Sequence, residues 1–142
     1  MAATVGFTDV EVGTELPAQS FALHRVDLVR YAGASGDFNV IHWNERIAKD
    51  VGLPDVIAHG MLTMAEAIRV VPDWCGDPGS VVEYSTKFTK PVPVPDDAAG
   101  VTVHVCGKVV ELLDGSRVKV ELTARCGEDK VLGMARAVVQ LT

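Results

Sequence analysis

The chain has few cysteines, a shortage of basic residues and no long apolar run, and each of these narrows what it can be. Its three cysteines, Cys75, Cys106 and Cys126, are odd in number and widely spaced. No metal-type pair occurs among them, and a disulfide framework is not expected. Cys106 and Cys126 fall within apolar runs, where each reads as a small buried hydrophobe. No apolar stretch reaches the roughly 20 residues that a membrane-spanning helix needs. The opening segment MAATVGFTDVEVG has no basic stretch followed by an apolar one, so no secretory signal is visible and the cytoplasm is the expected compartment. Lysine and arginine number 13 against 19 aspartates and glutamates, a net charge of −6 that disfavours nucleic acid as a partner.

What is present points to a folded unit. At 142 residues, 48% of them hydrophobic, the chain is long enough to bury a real core and too apolar for disorder. With no repeat, low-complexity tract or linker in view, one domain over residues 1–142 is expected. Residues 4–23 read as a short strand or two, broken at Gly13 and Pro17. HRVDLVRYAGASG carries Val26, Val29 and Tyr31 at near-helical spacing and stops at Gly33 and Gly36. ERIAKDVGL predicts a short helix closing at Gly52. From His59 to about Val71 only Glu66 and Arg69 are charged, the signature of a helix buried all round. The period changes to two from Val81 onward. VVEYSTKF puts Val82, Tyr84, Thr86 and Phe88 on one face, and PVPVPDD reads as a loop or blunted edge. VTVHVCGKVVELL and SRVKVELTARC meet at Asp114–Gly115, a strong hairpin signal. VLGMARAVVQL follows through a turn at Gly127–Lys130. A meander of four long antiparallel strands around one helix is expected, with an exposed edge that an oligomer partner covers.

The chemistry concentrates between Tyr31 and Trp43. Asp37 and His42 supply an acid and a base five residues apart, with Asn39 between them. Positions five apart on a regular helix point about 140° away from each other. The two side chains can therefore cooperate only across a bend or from two converging elements. An apolar helix opening with AHGM, Ala58 to Met61, follows downstream. An acid–base pair beside the amide-rich start of a buried helix suits the addition or removal of water next to a thioester carbonyl.

At SGDFNVIHW and AHGMLTM, and along YAGASGD, GDPGSVVEY and PVPVP, the chain resembles the MaoC-type (R)-specific enoyl-thioester hydratases and dehydratases. Within them it is most similar to the catalytic subunits of actinobacterial (3R)-hydroxyacyl-acyl-carrier-protein dehydratases. The resemblance implies an α+β hot-dog fold, a long antiparallel sheet wrapped around a buried central helix. It implies reversible dehydration of (3R)-3-hydroxyacyl thioesters to trans-2-enoyl thioesters, in lipid metabolism. Asp37 and His42 match the family's catalytic pair, and Asn39 matches the Asn that holds the water or hydroxyl and orients that pair. The oxyanion contact, a backbone amide at the helix start, falls on Gly60. Val40 stands where relatives usually carry Pro, which frees φ and loosens the loop without removing a reacting group.

No metal and no organic cofactor is implied. Trp43, His59, Met61 and Met64 are the candidates for contact with substrate; packing also accounts for them, and His59 equally suits a role at the helix start. His42 taking the C2 proton, with Asp37 assisting departure of the hydroxyl, is one division of labour, and the reverse is equally compatible with the sequence. The implied partners are an acyl-CoA or acyl-carrier-protein thioester and a second hot-dog subunit, in a homodimer or a heterodimer. Both carriers are acidic, so a local basic patch is required, with Arg25, Arg30, Lys87 and Lys90 as candidates. Two competing readings remain open here. One is thioester hydrolysis with Glu66 as the helix carboxylate, since fold does not fix function. The other is a non-catalytic acyl-binding subunit of a dehydratase heterodimer.

Overall fold

The computed structural model describes residues 2–142. The first strand, β1 (Glu15–Leu23), runs through Pro17 where a break was expected. β1 lies at the sheet edge, and its register slips between Leu16 and Gln19, so an imide without an N–H is accommodated at the irregularity. Helix α1 (Arg25–Ser35) begins where the Asp27 carboxylate accepts the His24 N–H at 2.9 Å. It stops at Gly36, whose φ of +77° is a left-handed conformation that favours glycine. Leu28 and Ala32 form its buried face, and Val26 and Val29, the residues at near-helical spacing, are exposed.

Helix α2 (Glu45–Asp50) is capped by Asn44, whose side chain accepts the Ile47 N–H at 3.1 Å. The helix expected from His59 to Val71 is two: α3 (Gly60–Ile68) and α4 (Val70–Cys75). Pro72 has no N–H to offer the Ile68 carbonyl, which ends α3 there. All-round burial is also corrected. Val70, Val71 and Cys75 of α4 are fully buried, but in α3 only Thr63 and Ala67 are, and Met61 is exposed. One chain covers one face of α3.

The sheet adds β2 (Val81–Phe88), β3 (Val101–Leu113), β4 (Arg117–Cys126), β5 (Asp129–Lys130) and β6 (Leu132–Gln140). Its order is β1-β3-β4-β6-β2, all antiparallel, with β5 paired to the end of β4. The β3–β4 hairpin turns at Gly115 (φ +73°) and Ser116 (φ +55°), as the Asp114–Gly115 signal predicts. The expected meander is corrected, because β2 pairs with β6 at the far edge. The proline-rich segment after β2 carries the chain back across. On the way its Val92 carbonyl accepts the Ala58 N–H at 2.8 Å, and the Val94 N–H donates to the Val56 carbonyl at 2.9 Å.

The core lies between the sheet and α3–α4. Val103, Val105 and Val109 of β3, Val118, Val120, Leu122 and Ala124 of β4, and Ala135, Ala137 and Val139 of β6 all point inward. Strand alternation then places Cys106 on the outer face, exposed, and Cys126 half-buried. The buried thiol is Cys75. On β2 the expected face is broken by two register slips, and Val82 and Phe88 are 51% and 55% exposed. No helix among the described residues is long and apolar enough to cross a membrane.

Candidate active site

The segment between α1 and α2 carries the candidate acid–base pair, Asp37 and His42. Asp37 sits in the loop after Gly36, its N–H donating to Ser35 Oγ at 3.1 Å. Its Oδ1 accepts the Asn39 N–H at 3.2 Å, a local turn that fixes one carboxylate oxygen. A single 3-10 turn, Val40–His42, follows, capped by Asn39 Oδ1 accepting the Ile41 N–H at 3.3 Å. The exposed Asn39 side chain thus shapes the turn. Asp37 and His42 flank this bend, as the helical arithmetic requires. His42 Nε2 stands 3.9 Å from Asp37 Oδ2, with the ring buried and the carboxylate half exposed.

His42 has one tautomer open to it. Its Nδ1 lies 2.7 Å from the Ile57 carbonyl, which only accepts, so Nδ1 carries the hydrogen. The neutral ring then presents an unprotonated Nε2 toward Asp37. The acceptor carbonyl belongs to the segment that enters α3, which ties the base to the helix start.

His59, the residue before Gly60, is 1% exposed. Its ring stacks on His42 with centroids 3.8 Å apart and planes 23° apart, and the tilted Tyr31 ring lies 4.8 Å away. Its Nε2 donates to the backbone carbonyl of Asp37 at 3.0 Å, while its buried Nδ1 has no partner. Burial holds this imidazole below the ordinary histidine range. The neighbouring His42 adds to that, and the hydrogen bond to Asp37 opposes it. Asp37, His42 and His59 together have the donor set of a small metal site. Two nearly parallel stacked rings cannot both direct in-plane lone pairs at one ion, so the geometry does not favour coordination.

Gly60 opens α3, and its N–H has no intrahelical acceptor. It lines a cleft of about 340 Å³ walled by Ile57, Thr63, Phe88, Lys90, Val92 and Leu132 among others. A Cβ on Gly60 would lie 3.0 Å from the Phe88 ring, so glycine lets that ring close over the helix start. Phe88 is a wall residue that sequence reasoning missed, and Lys90, a candidate only for the carrier-binding patch, joins it in the wall. Strand β2 and the loop after it meet residue 60 only through the sheet order, which no local pattern carries.

Asp37 and His42 stand outside the lining of this cleft, and Trp43, Met61 and Met64 lie apart from it as well. Trp43 is exposed, its Nε1 donating to the Phe38 carbonyl at 3.0 Å. Met61 is exposed, and Met64 is half-buried with its carbonyl accepting from Tyr84 at 3.0 Å. Burial pushes that Tyr84 hydroxyl up to about 12. Of the expected basic patch, Arg25 is engaged by Asp55, Glu45 and the Val94 carbonyl, and Arg30 pairs with Asp27 at 3.2 Å. Lys90 faces the cleft. Glu66 is bound by Arg69 at 2.6 Å and lines a separate depression with Leu62 and Tyr31.

The family model described as MaoC like domain matches residues 8–125. The chain belongs to the MaoC-like domain family. Its Asp37–His42 pair and its Gly60 helix start both lie within the matched stretch. The chain is 40% identical over 82 residues to 3-hydroxyacyl-thioester dehydratase X of Mycobacterium tuberculosis, covering 58% of this chain and 28% of that protein. It is 33% identical over 106 residues to the (R)-specific enoyl-CoA hydratase of Rhodospirillum rubrum, covering 74% and 72%. A solved MaoC-like dehydratase superposes with a TM-score of 0.95 at 43% identity, over 99% of this chain and 43% of that one. The match thus spans 28% of the mycobacterial protein and less than half of the solved dehydratase. The fold is the hot-dog fold expected of a MaoC-like protein, with the sheet packed on α3–α4.

Proposed function

We propose that this MaoC-like chain is a hydro-lyase that reversibly dehydrates (3R)-3-hydroxyacyl thioesters to trans-2-enoyl thioesters. The observation that carries the reading is a histidine whose tautomer is fixed by Ile57, leaving Nε2 free and 3.9 Å from a carboxylate. That gap is too long for a direct hydrogen bond and suits a bridging water or substrate hydroxyl. His42 Nε2 takes the C2 proton. The charge that develops on the thioester oxygen is met by the Gly60 N–H and the dipole of α3. The C3–O bond then breaks, and the hydroxyl leaves as water with a proton from Asp37. Proton transfer from His42 to Asp37 restores the pair. The substrates are acyl-CoA or acyl-carrier-protein thioesters, and relatives named as hydratase and dehydratase support this choice.

The test follows the conjugated absorbance of a short trans-2-enoyl-CoA. Wild-type protein is expected to abolish it by hydration. Asp37→Asn keeps an oxygen for the Asn39 N–H and loses the acid, so turnover falls at least about a hundredfold with the fold intact. Full activity in that variant, or release of free thiol by the wild type, overturns the reading.

The same reading includes a second hot-dog subunit. β2 is an edge strand with one side of its backbone unpaired and with Val82 and Phe88 exposed, and Met61 is uncovered on α3. Sedimentation equilibrium is expected to give twice the 15.1 kDa of one chain, alone or with a co-expressed related chain. A monomeric mass in both cases excludes this.

A further inference from the structure

We infer that His59 is a positioning residue of the acid–base pair, working as a neutral Nε2–H imidazole whose tautomer is opposite to that of His42. The inference rests on the dehydratase reading and deepens it.

The geometry places a proton on opposite atoms of the two rings. His42 must carry its hydrogen on Nδ1, because the Ile57 carbonyl accepts at 2.7 Å. His59 must carry its hydrogen on Nε2, because the Asp37 carbonyl accepts at 3.0 Å. The second nitrogen of His59 is buried and has no partner of either kind. A proton there would find no acceptor among the described residues, and the charge it brings would sit against the stacked His42 ring. The titratable groups around His59 are Tyr31 from α1, Asp37 from the loop and His42 from the 3-10 turn. The Asp37 backbone is neutralised as an acceptor by the Nε2–H already present, and its side chain is aimed at His42. Burial disfavours the charged form of the ring, in agreement with this arrangement.

The consequence is mechanical. One planar side chain holds the Asp37 main chain by its edge and His42 by its face. It sets the separation of the two reacting groups without touching the substrate-facing atoms of either. It also adds no positive charge beside the base, which would otherwise be harder to protonate during the reaction. A phenylalanine would supply the face alone. A glutamine, whose amide nitrogen reaches about as far as a histidine Nε2, would supply the edge alone.

Two measurements test this on the full chain. Nitrogen-15 histidine spectra at pH 7 are expected to show His59 as a neutral Nε2–H ring and His42 with a hydrogen on Nδ1. A protonated His59, or a His59 carrying its hydrogen on Nδ1, overturns the inference. In enoyl-CoA hydration, His59→Phe is expected to lower kcat about tenfold with KM within twofold, and His59→Gln to recover most of the loss. Equal kcat losses in both folded variants, or none in either, also overturn it. Failure of the dehydratase reading is seen separately, as an inactive wild type whose two histidines still show the opposed tautomers.

Discussion

His42→Asn is expected to reduce turnover at least about a thousandfold while leaving a folded protein, the largest activity loss of any single change at this site. The choice of asparagine is deliberate. Its amide nitrogen sits about where Nδ1 of histidine sits, so the donor to the Ile57 carbonyl survives. What disappears is Nε2, the only atom of His42 that faces Asp37. Alanine would confound the result, because it would also leave the Ile57 carbonyl unpaired, while both changes remove the ring on which His59 stacks. Steady-state hydration of an enoyl thioester, with circular dichroism as the folding control, reads the effect. Residues that act as a unit are non-additive. The double variant with Asp37→Asn should therefore fall little below His42→Asn alone. Losses that multiply would mean that the two groups act independently, and wild-type turnover in His42→Asn would remove the base from the scheme.

The approach of Asp37 and His42 was legible in the sequence because the two are close along the chain. Five residues separate Asp37 from His42, and helical arithmetic alone shows that a bend must lie between them; the 3-10 turn Val40–His42 is that bend. The strands of the back half were legible for a similar reason, since Val103 to Val109 and Val118 to Ala124 alternate with period two. What was not legible is what depends on distant neighbours. Alternation says that VVEYSTKF is a strand, but only the sheet order says that it pairs with β6 and leaves Val82 and Phe88 exposed. The same limit applies to Cys106, whose apolar neighbours suggested burial until strand phase put it on the outer face. His59 shows it most sharply. Its hydrogen-bond partner is a main-chain carbonyl 22 residues away, and a main-chain atom leaves no mark in the residue code. Proline acted in opposite ways. Pro72 ended a helix because it removed a needed donor, whereas Pro17 left an edge strand intact because the strand slips register beside it.

Arg25→Met is expected to cost about 3 kcal/mol of stability, and to weaken catalysis by an indirect route. Arg25 was a candidate for a carrier-binding patch, yet its guanidinium is spent inside the protein. Nε donates to the Val94 carbonyl at 2.6 Å, and NH2 meets Asp55 at 2.6 Å and Glu45 at 3.1 Å. Methionine keeps much of the aliphatic stem and leaves Asp55 without its cation and the fully buried Val94 without a donor to its carbonyl. Removing one partner of a largely buried ion pair typically costs a few kcal/mol, because the other charge stays desolvated. The effect reaches the site through the chain. Asp55 Oδ1 also accepts the Val56 N–H at 2.7 Å, and Val56 pairs with Val94. Ile57 comes next, with the carbonyl that fixes the His42 tautomer, then Ala58, His59 and Gly60. Arg25 therefore anchors the first residues of the segment that carries both the orienting acceptor and the helix-start amide. Urea denaturation measures the stability term. Arg25→Lys, which keeps the charge but cannot fork to three acceptors, should recover only part of it. A change below about 0.5 kcal/mol in Arg25→Met would put this residue among ordinary surface charges and return it to the candidates for contact with an acidic carrier.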